Sequence, residues 1–258
     1  MYRRKRFSMW TVLCTLLFVL VLTRTQNAAA ESIEALYQAA VLESIIAAPS
    51  EIRPLVSLTK DDPLTTWNGK GQVLLLTFHK YPESYVAGRD YVTRYGEVWA
   101  FTDKEILKWY KENSSGVRDW ELRFKQLIGV PPDKEYTHFS AIWTSPEDVK
   151  RPAYEPNAAS QVSEISLPRG VNPDFRKWFN GNIVRSYLEG AYPWTKLGYT
   201  YDWARKSKTY GLSEFLVRKD ATVTVEFTKT IDEFLKWLDE QQPLEGRMFF
   251  ENTTRGLP

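Results

Sequence analysis

The chain has 258 residues, with 34 Lys and Arg against 32 Asp and Glu, one cysteine, and 14% aromatic residues. Five of the bases (Arg3, Arg4, Lys5, Arg6, Arg24) and no acid fall in the first thirty residues. The rest therefore carries 29 bases against 32 acids, net −3, which removes the basic footprint that nucleic-acid binding needs. Cys14 lies in that same stretch, so the remainder can make neither an intrachain disulfide nor a thiolate metal site.

In chain order, the four bases of residues 3–6 precede an apolar run, Met9 to Leu22, too short to span a bilayer comfortably. Ala28-Ala29-Ala30 then supplies small residues for a cleavage site. Residues 1–30 read as a secretory signal peptide cut after Ala30, giving a secreted or periplasmic protein. Membrane contact is expected only through an uncleaved anchor. Glu31 to Ala48 has helical apolar spacing (Ile33, Leu36, Tyr37, Ala40, Val41, Ser44, Ile45), and Pro49 and Pro54 end it. The Pro- and Gly-rich stretch to residue 70 reads as a linker, so residues 31–70 form a helix plus linker ahead of a single domain over 71–242 and a loose tail over 243–258.

Gln72 to Phe78 is a continuous apolar run of strand length, hence a strand buried on both faces. Glu97 to Phe101 is a second strand, after which Thr102 and Glu105 form a capping box for a helix. Arg118 to Ile128 is another helix, closed by Gly129 and Pro131-Pro132. Tyr136 to Trp143 is a third strand. Lys150 to Asn172 lacks periodicity and reads as a long surface excursion. Asn172-Pro173 starts a helix that Gly190 ends. Tyr210–Arg218 and Ala221–Thr228 read as a hairpin about Lys219-Asp220, and Thr230 with Glu233 caps a final helix. The order gives an α+β fold, a mainly antiparallel sheet with helices packed on one side.

The densest feature is Tyr192 to Trp203, which holds two Trp and three Tyr. Such a block either fills a core or lines a recognition surface. Alternation puts Tyr199, Tyr201 and Trp203 on one face and Thr200 and Asp202 on the other. Trp194, Tyr199, Tyr201, Trp203 and His79 are the candidate ligand-binding residues. Glu214, one acid in an otherwise mostly apolar strand, needs a partner or a purpose. Glu214, Asp202 and Arg169 are the candidate catalytic residues, with Arg169 or Arg185 as the partner of Glu214. No HExxH, GxSxG, GxxxxGK[ST] or GxGxxG pattern is present, so no metal and no cofactor is expected.

The blocks YPWTKLGYTYDW and YGLSEFLVRKDATVTVE, with FSAIWTSPEDVKRP and WFNGNIVRSYLEG upstream, resemble uncharacterised secreted bacterial proteins over roughly Gly71 to Phe227. In that family cysteines stand near the stretch matching Arg151 to Pro156, which is cysteine-free here. The resemblance implies an extracytoplasmic location and carries no activity. A fainter resemblance is to ADP-ribosyltransferases and related NAD glycohydrolases, on the order Arg169, Tyr199-Thr200-Tyr201, Glu214. It implies that Arg169 holds the diphosphate, a Tyr stacks on nicotinamide, and Glu214 steadies the ribosyl cation. Ser-Thr-Ser is missing, and Leu212 and Leu216 stand where a second acid would complete Glu-x-Glu, so it implies NAD cleavage rather than protein modification. The expected function is therefore a binding or interaction module for a small ligand or a protein partner. The alternative is an enzyme acting on a glycosidic bond, of NAD or a saccharide, with Glu214 and Arg169. A third reading makes the aromatic block pure core and leaves function to Lys150–Asn172.

Overall fold

The computed structural model describes residues 33–204 and 210–241. The expected signal peptide and loose tail lie outside the described residues. The centre is β1 (Val73–His79), buried along its whole length. It pairs antiparallel with β3 (Val98–Thr102) on one side and β4 (His138–Thr144) on the other, in register Leu75 to Thr102 and Leu75 to Ile142. The remaining strands are β2 (Asp90–Val92), β5 (Val149–Lys150), β6 (Tyr199–Tyr201), β7 (Tyr210–Ser213), β8 (Phe215–Val217) and β9 (Thr222–Thr230). Seven of them form one antiparallel sheet in the order β2-β9-β4-β1-β3-β8-β5, while β6 and β7 pair separately.

Alternation along β1 divides the interior in two. Val73 and Leu75 join Val98, Ala100, Ile142, Phe215, Val217, Val223 and Val225 in one cluster. Leu74, Leu76 and Phe78 face the other way. They pack with Phe101 and Phe139 against three helices, α2 (Asp103–Asn113), α3 (Trp120–Leu127) and α5 (Ile231–Glu240), through Ile106, Tyr110, Phe124, Leu127, Phe234 and Leu238. The α+β architecture with a mainly antiparallel sheet is thus present, and these helices cover one face.

The expected hairpin at Lys219-Asp220 is a turn without a hairpin. Asp220 takes the left-handed conformation the turn needs (φ 63°), but β8 pairs with β3 and β5, and β9 with β2 and β4. In a flat sheet β8 and β9 would lie about 19 Å apart, four spacings of about 4.8 Å. Only residues 218–221 join them, a reach of about 17 Å if fully extended. That link is not extended: Thr93 Oγ1 donates to Arg218 O (2.8 Å) and accepts from the Ala221 N–H (2.9 Å). The sheet must therefore curl around the first cluster, and this closes the strands upon one another.

Residues 33–43 form α1, which stops short of the expected Ala48; Tyr37, Ala40, Val41 and, just beyond, Ser44 of the predicted face are buried, whereas Ile33 and Ile45 at its two ends are exposed. The stretch after it is no loose linker. Leu55, Val56 and Leu58 are buried, and Val56 and Leu58 belong to the same cluster as β1 and β8. The last long helix, α4 (Pro173–Val184), is capped by Asn172, whose Oδ1 accepts from Asp174 N and Phe175 N. It widens into a π-helical turn over Arg185–Glu189 before Gly190. No described helix is long and apolar enough to cross a membrane.

Candidate functional site

A cavity of about 620 Å³ opens between the outer face of β1 and β3, the loop after α3, the π-helical turn and the aromatic block. Its walls are rich in aromatic rings, among them Phe78 and Phe101 from the strands, Tyr136, and Tyr192 and Trp194 from the block. Glu214 borders it, at the break between β7 and β8. Alternation sends Phe215 to the inner cluster, while Glu214 and Leu212 fall on the opposite face.

Glu214 is held by its backbone. Its N–H donates to Gly198 O (2.9 Å), which ties the strand break to the turn of the aromatic block. Its carboxyl makes no hydrogen bond among the described residues, and Oε2 is sealed from solvent. Burial pushes its pKa up to about 8, against the weaker opposing pull of the Arg151 guanidinium. At neutral pH the group is thus mainly a neutral acid, able to donate as well as accept.

The cation near Glu214 is Arg151, not Arg169 or Arg185. Arg151 is fully buried with only carbonyl oxygens as hydrogen-bond partners: Val56 O (2.7 Å), Ala158 O and Ser160 O (3.1 Å each), Gly198 O (3.2 Å) and Glu214 O (3.5 Å). Its guanidinium also lies 4.6 Å from the Phe215 ring centroid. Burial lowers its pKa to about 10, with Glu105 and Glu214 the foremost groups countering it. It acts as a strut through residues that are distant in sequence.

Glu105 explains why the first capping box is absent. Thr102 precedes α2 but makes no side-chain cap bond, and its Oγ1 is buried without a partner. The Glu105 carboxyl accepts instead from Ser213 N (2.8 Å) and Ser213 Oγ (2.9 Å), and Ser213 Oγ accepts from Val56 N (2.9 Å). Desolvation raises Glu105 to about 7, partly offset by these Ser213 bonds. A local cap has been given up for a long-range bond beside Glu214.

His79 also borders the cavity, and its surroundings fix its tautomer. Tyr81 N–H donates to Nδ1 (3.0 Å), so Nε2 carries the proton and donates to Ser140 Oγ (2.8 Å). Ser140 passes its proton to Thr228 Oγ1 (2.6 Å), which donates to Tyr85 O (2.5 Å). Burial, aided by His138, lowers His79 to about 4. The neutral imidazole is one link of a closed relay stacked on Tyr85, at 4.4 Å between ring centroids.

The remaining predicted residues separate. Arg169 is exposed in the long loop and is not part of the cavity wall. Asp202 is buried away from it, in a bidentate pair with Arg123 (Nη1–Oδ1 3.0 Å, Nη2–Oδ2 2.7 Å). Trp194, Tyr199 and Tyr201 line the cavity, and Trp203 does not. Tyr201 and Trp203 pack on α1, with Trp203 edge-on to Tyr37 at 5.3 Å and Tyr201 bonded to the Glu43 carboxylate. Tyr199 OH donates to Glu51 O (2.8 Å). The face formed by the three rings is thus the seam with the N-terminal segment.

Lys196 went unread despite being the only base in the block. It is buried at a positive φ (62°), with Nζ bonded to Ser44 O and Tyr187 OH and lying 4.7 Å from the Tyr187 ring centroid. Desolvation lowers it to about 8, with Glu51 countering. A single base among densely spaced aromatic residues was the available signal. Arg151, at the head of a Pro- and Ala-rich loop, gave none.

Among the described residues no group of three or more His, Cys, Asp or Glu side chains could hold a metal ion. No protein-family model, curated protein or solved structure matches the chain.

Proposed function

We propose that this chain is an extracytoplasmic small-molecule-binding protein. Its cavity takes a mainly apolar, ring-bearing ligand whose hydrogen-bond acceptor meets the protonated carboxyl of Glu214. One observation carries the reading: an otherwise unbonded carboxyl borders an aromatic-walled cavity of about 620 Å³. A buried polar group without a hydrogen bond costs roughly 1–3 kcal/mol, and a ligand acceptor would recover that loss. The volume is that of ordinary small-ligand sites. The extracytoplasmic setting rests on the basic residues, apolar run and small residues of positions 1–30.

The test is calorimetric titration with neutral aromatic amides and ketones, benzamide and acetophenone among them, on the wild type and on Glu214→Leu. Saturable binding that weakens about tenfold in the variant, about 1.4 kcal/mol, is expected. No binding at millimolar concentrations, or equal binding by both proteins, overturns the reading.

The raised pKa of Glu214 favours a second reading, in which that proton goes to a leaving group during cleavage of a glycosidic bond. Arg169 has no place in it, because it is outside the cavity wall. Turnover of a fluorescent NAD analogue or of nitrophenyl glycosides, lost in Glu214→Gln, would support this version. Equal, null signals would remove it.

A further inference from the structure

Trp99 is anomalous. It sits in the middle of β3, yet its side chain keeps 37% exposure and lines the cavity. Its neighbours are rigid. Trp178 and Trp194 each lie 6.5 Å away between ring centroids, Trp194 nearly perpendicular at 86°. Trp178 Nε1 donates to Glu97 Oε2 (2.6 Å), and Trp194 Nε1 donates to Pro152 O (2.9 Å). Both supporting indoles are therefore pinned by their own polar atoms, while Trp99 between them keeps more than a third of its surface exposed.

The polar groups of the same cavity wall are planar and of mixed sign. Glu97 is paired with Lys150 (3.0 Å). Arg185 and Glu189 are exposed on the π-helical turn, and Asn182 lies one turn earlier. Arg185 reaches only Asn182 Oδ1, at 3.5 Å, and Glu189 has no partner among the described residues. A phosphate or carboxylate ligand would meet Glu97 and Glu189 as like charges. Hydroxyl groups meet no such penalty, since each can donate to a carboxylate and accept from a guanidinium or amide. The C–H face of a sugar ring also suits an exposed indole.

We infer that the mouth of the cavity is a sugar subsite: a neutral, hydroxyl-rich ring stacks on Trp99, with Glu97, Asn182, Arg185 and Glu189 around it, while an apolar aglycone fills the cavity behind. This rests on the binding reading above and names its ligand class as a glycoside with a ring-bearing aglycone.

The experiment is isothermal titration calorimetry of the full chain with a panel of neutral 4-nitrophenyl glycosides (gluco, galacto, manno and N-acetylglucosamine forms, both anomers). 4-Nitroanisole serves as the sugar-free control. At least one glycoside should bind ten times more tightly than 4-nitroanisole. Trp99→Ala should erase that advantage and leave the control unchanged. Glu189→Gln, an exposed change that leaves the packing intact, should weaken the same glycoside several-fold and provides the check if Trp99→Ala fails to fold. If 4-nitroanisole binds and no glycoside gains over it, the sugar subsite is wrong and the cavity reading stands. If Trp99→Ala weakens glycoside and control alike, Trp99 is only cavity wall and the inference falls. If nothing binds, both readings fall.

Discussion

Arg151 passes so close over Gly198 that no β-carbon fits between them: one built on Gly198 would lie 2.6 Å from Arg151 Cδ and 2.9 Å from Leu55 Cδ1. Gly198 also holds φ at +85°, a conformation L side chains rarely adopt. The turn of the aromatic block is glycine because a buried arginine needs the space above it. Gly198→Ala should cost about 3 kcal/mol or more, from strain and displacement of the strut together. For a domain of this size that lowers the melting temperature by roughly 10 °C, readable by circular dichroism. A variant that melts with the wild type would show that Arg151 moves aside freely.

Glu214 and Glu105 set an alkaline limit on stability. Both fold with pKa values raised by burial to about 8 and about 7, against an ordinary 4.5. In that window the folded state holds more protons than the unfolded one, so stability must fall as pH rises from about 4.5 through 8. Lys196 acts oppositely, but only between about 8 and 10.5. His79 removes stability as pH falls from about 6.5 to about 4, because in the folded protein Nδ1 faces the Tyr81 N–H and resists protonation. Glu214→Gln keeps the shape of the neutral acid and cannot ionise. Denaturant unfolding near pH 4 should therefore match the wild type, and at pH 8.5 the variant should be more stable by a few kcal/mol. Parallel pH profiles for the two proteins would mean that Glu214 is already ionised at neutrality.

Asp202 serves the fold and not the cavity. Its bidentate partner Arg123 is itself largely buried and lies over Trp109, 4.6 Å from the ring centroid. Removing one member leaves the other charge poorly solvated, so Asp202→Ala should lose about 3 kcal/mol of stability. Ligand affinity of the surviving folded fraction should be unchanged. A selective loss of affinity with normal stability would return Asp202 to the binding site.

Local signals were faithful wherever the partner of a segment was also local. The apolar run of β1, the cap at Asn172, the second capping box at Thr230 and Glu233, and the left-handed closure at Gly129 (φ 72°) all appear as their residues predict. The failures share another cause. Thr102 and Glu105 have the spacing of a capping box, but Ser213 offers Glu105 two donors from more than a hundred residues away. Lys219-Asp220 has turn chemistry, yet curling of the sheet sends its strands to different neighbours. For the site, the lone acid in an apolar strand was legible at Glu214. Its cation was not, because burial of Arg151 depends on five carbonyls contributed by scattered segments.

The curled sheet also determines how the chain meets copies of itself. Its outermost strands, β2 and β5, have three and two residues, while the longest, β9, and the apolar β1 lie inside. Short edges offer little template for strand addition, so the native protein is protected from edge-to-edge growth. The heptapeptide VLLLTFH of β1 has the composition of an aggregation nucleus and emerges only when both neighbours leave it. Loss of material on storage should then follow the unfolded population rather than native collisions, and stabilising the fold is the route to keeping this protein in solution.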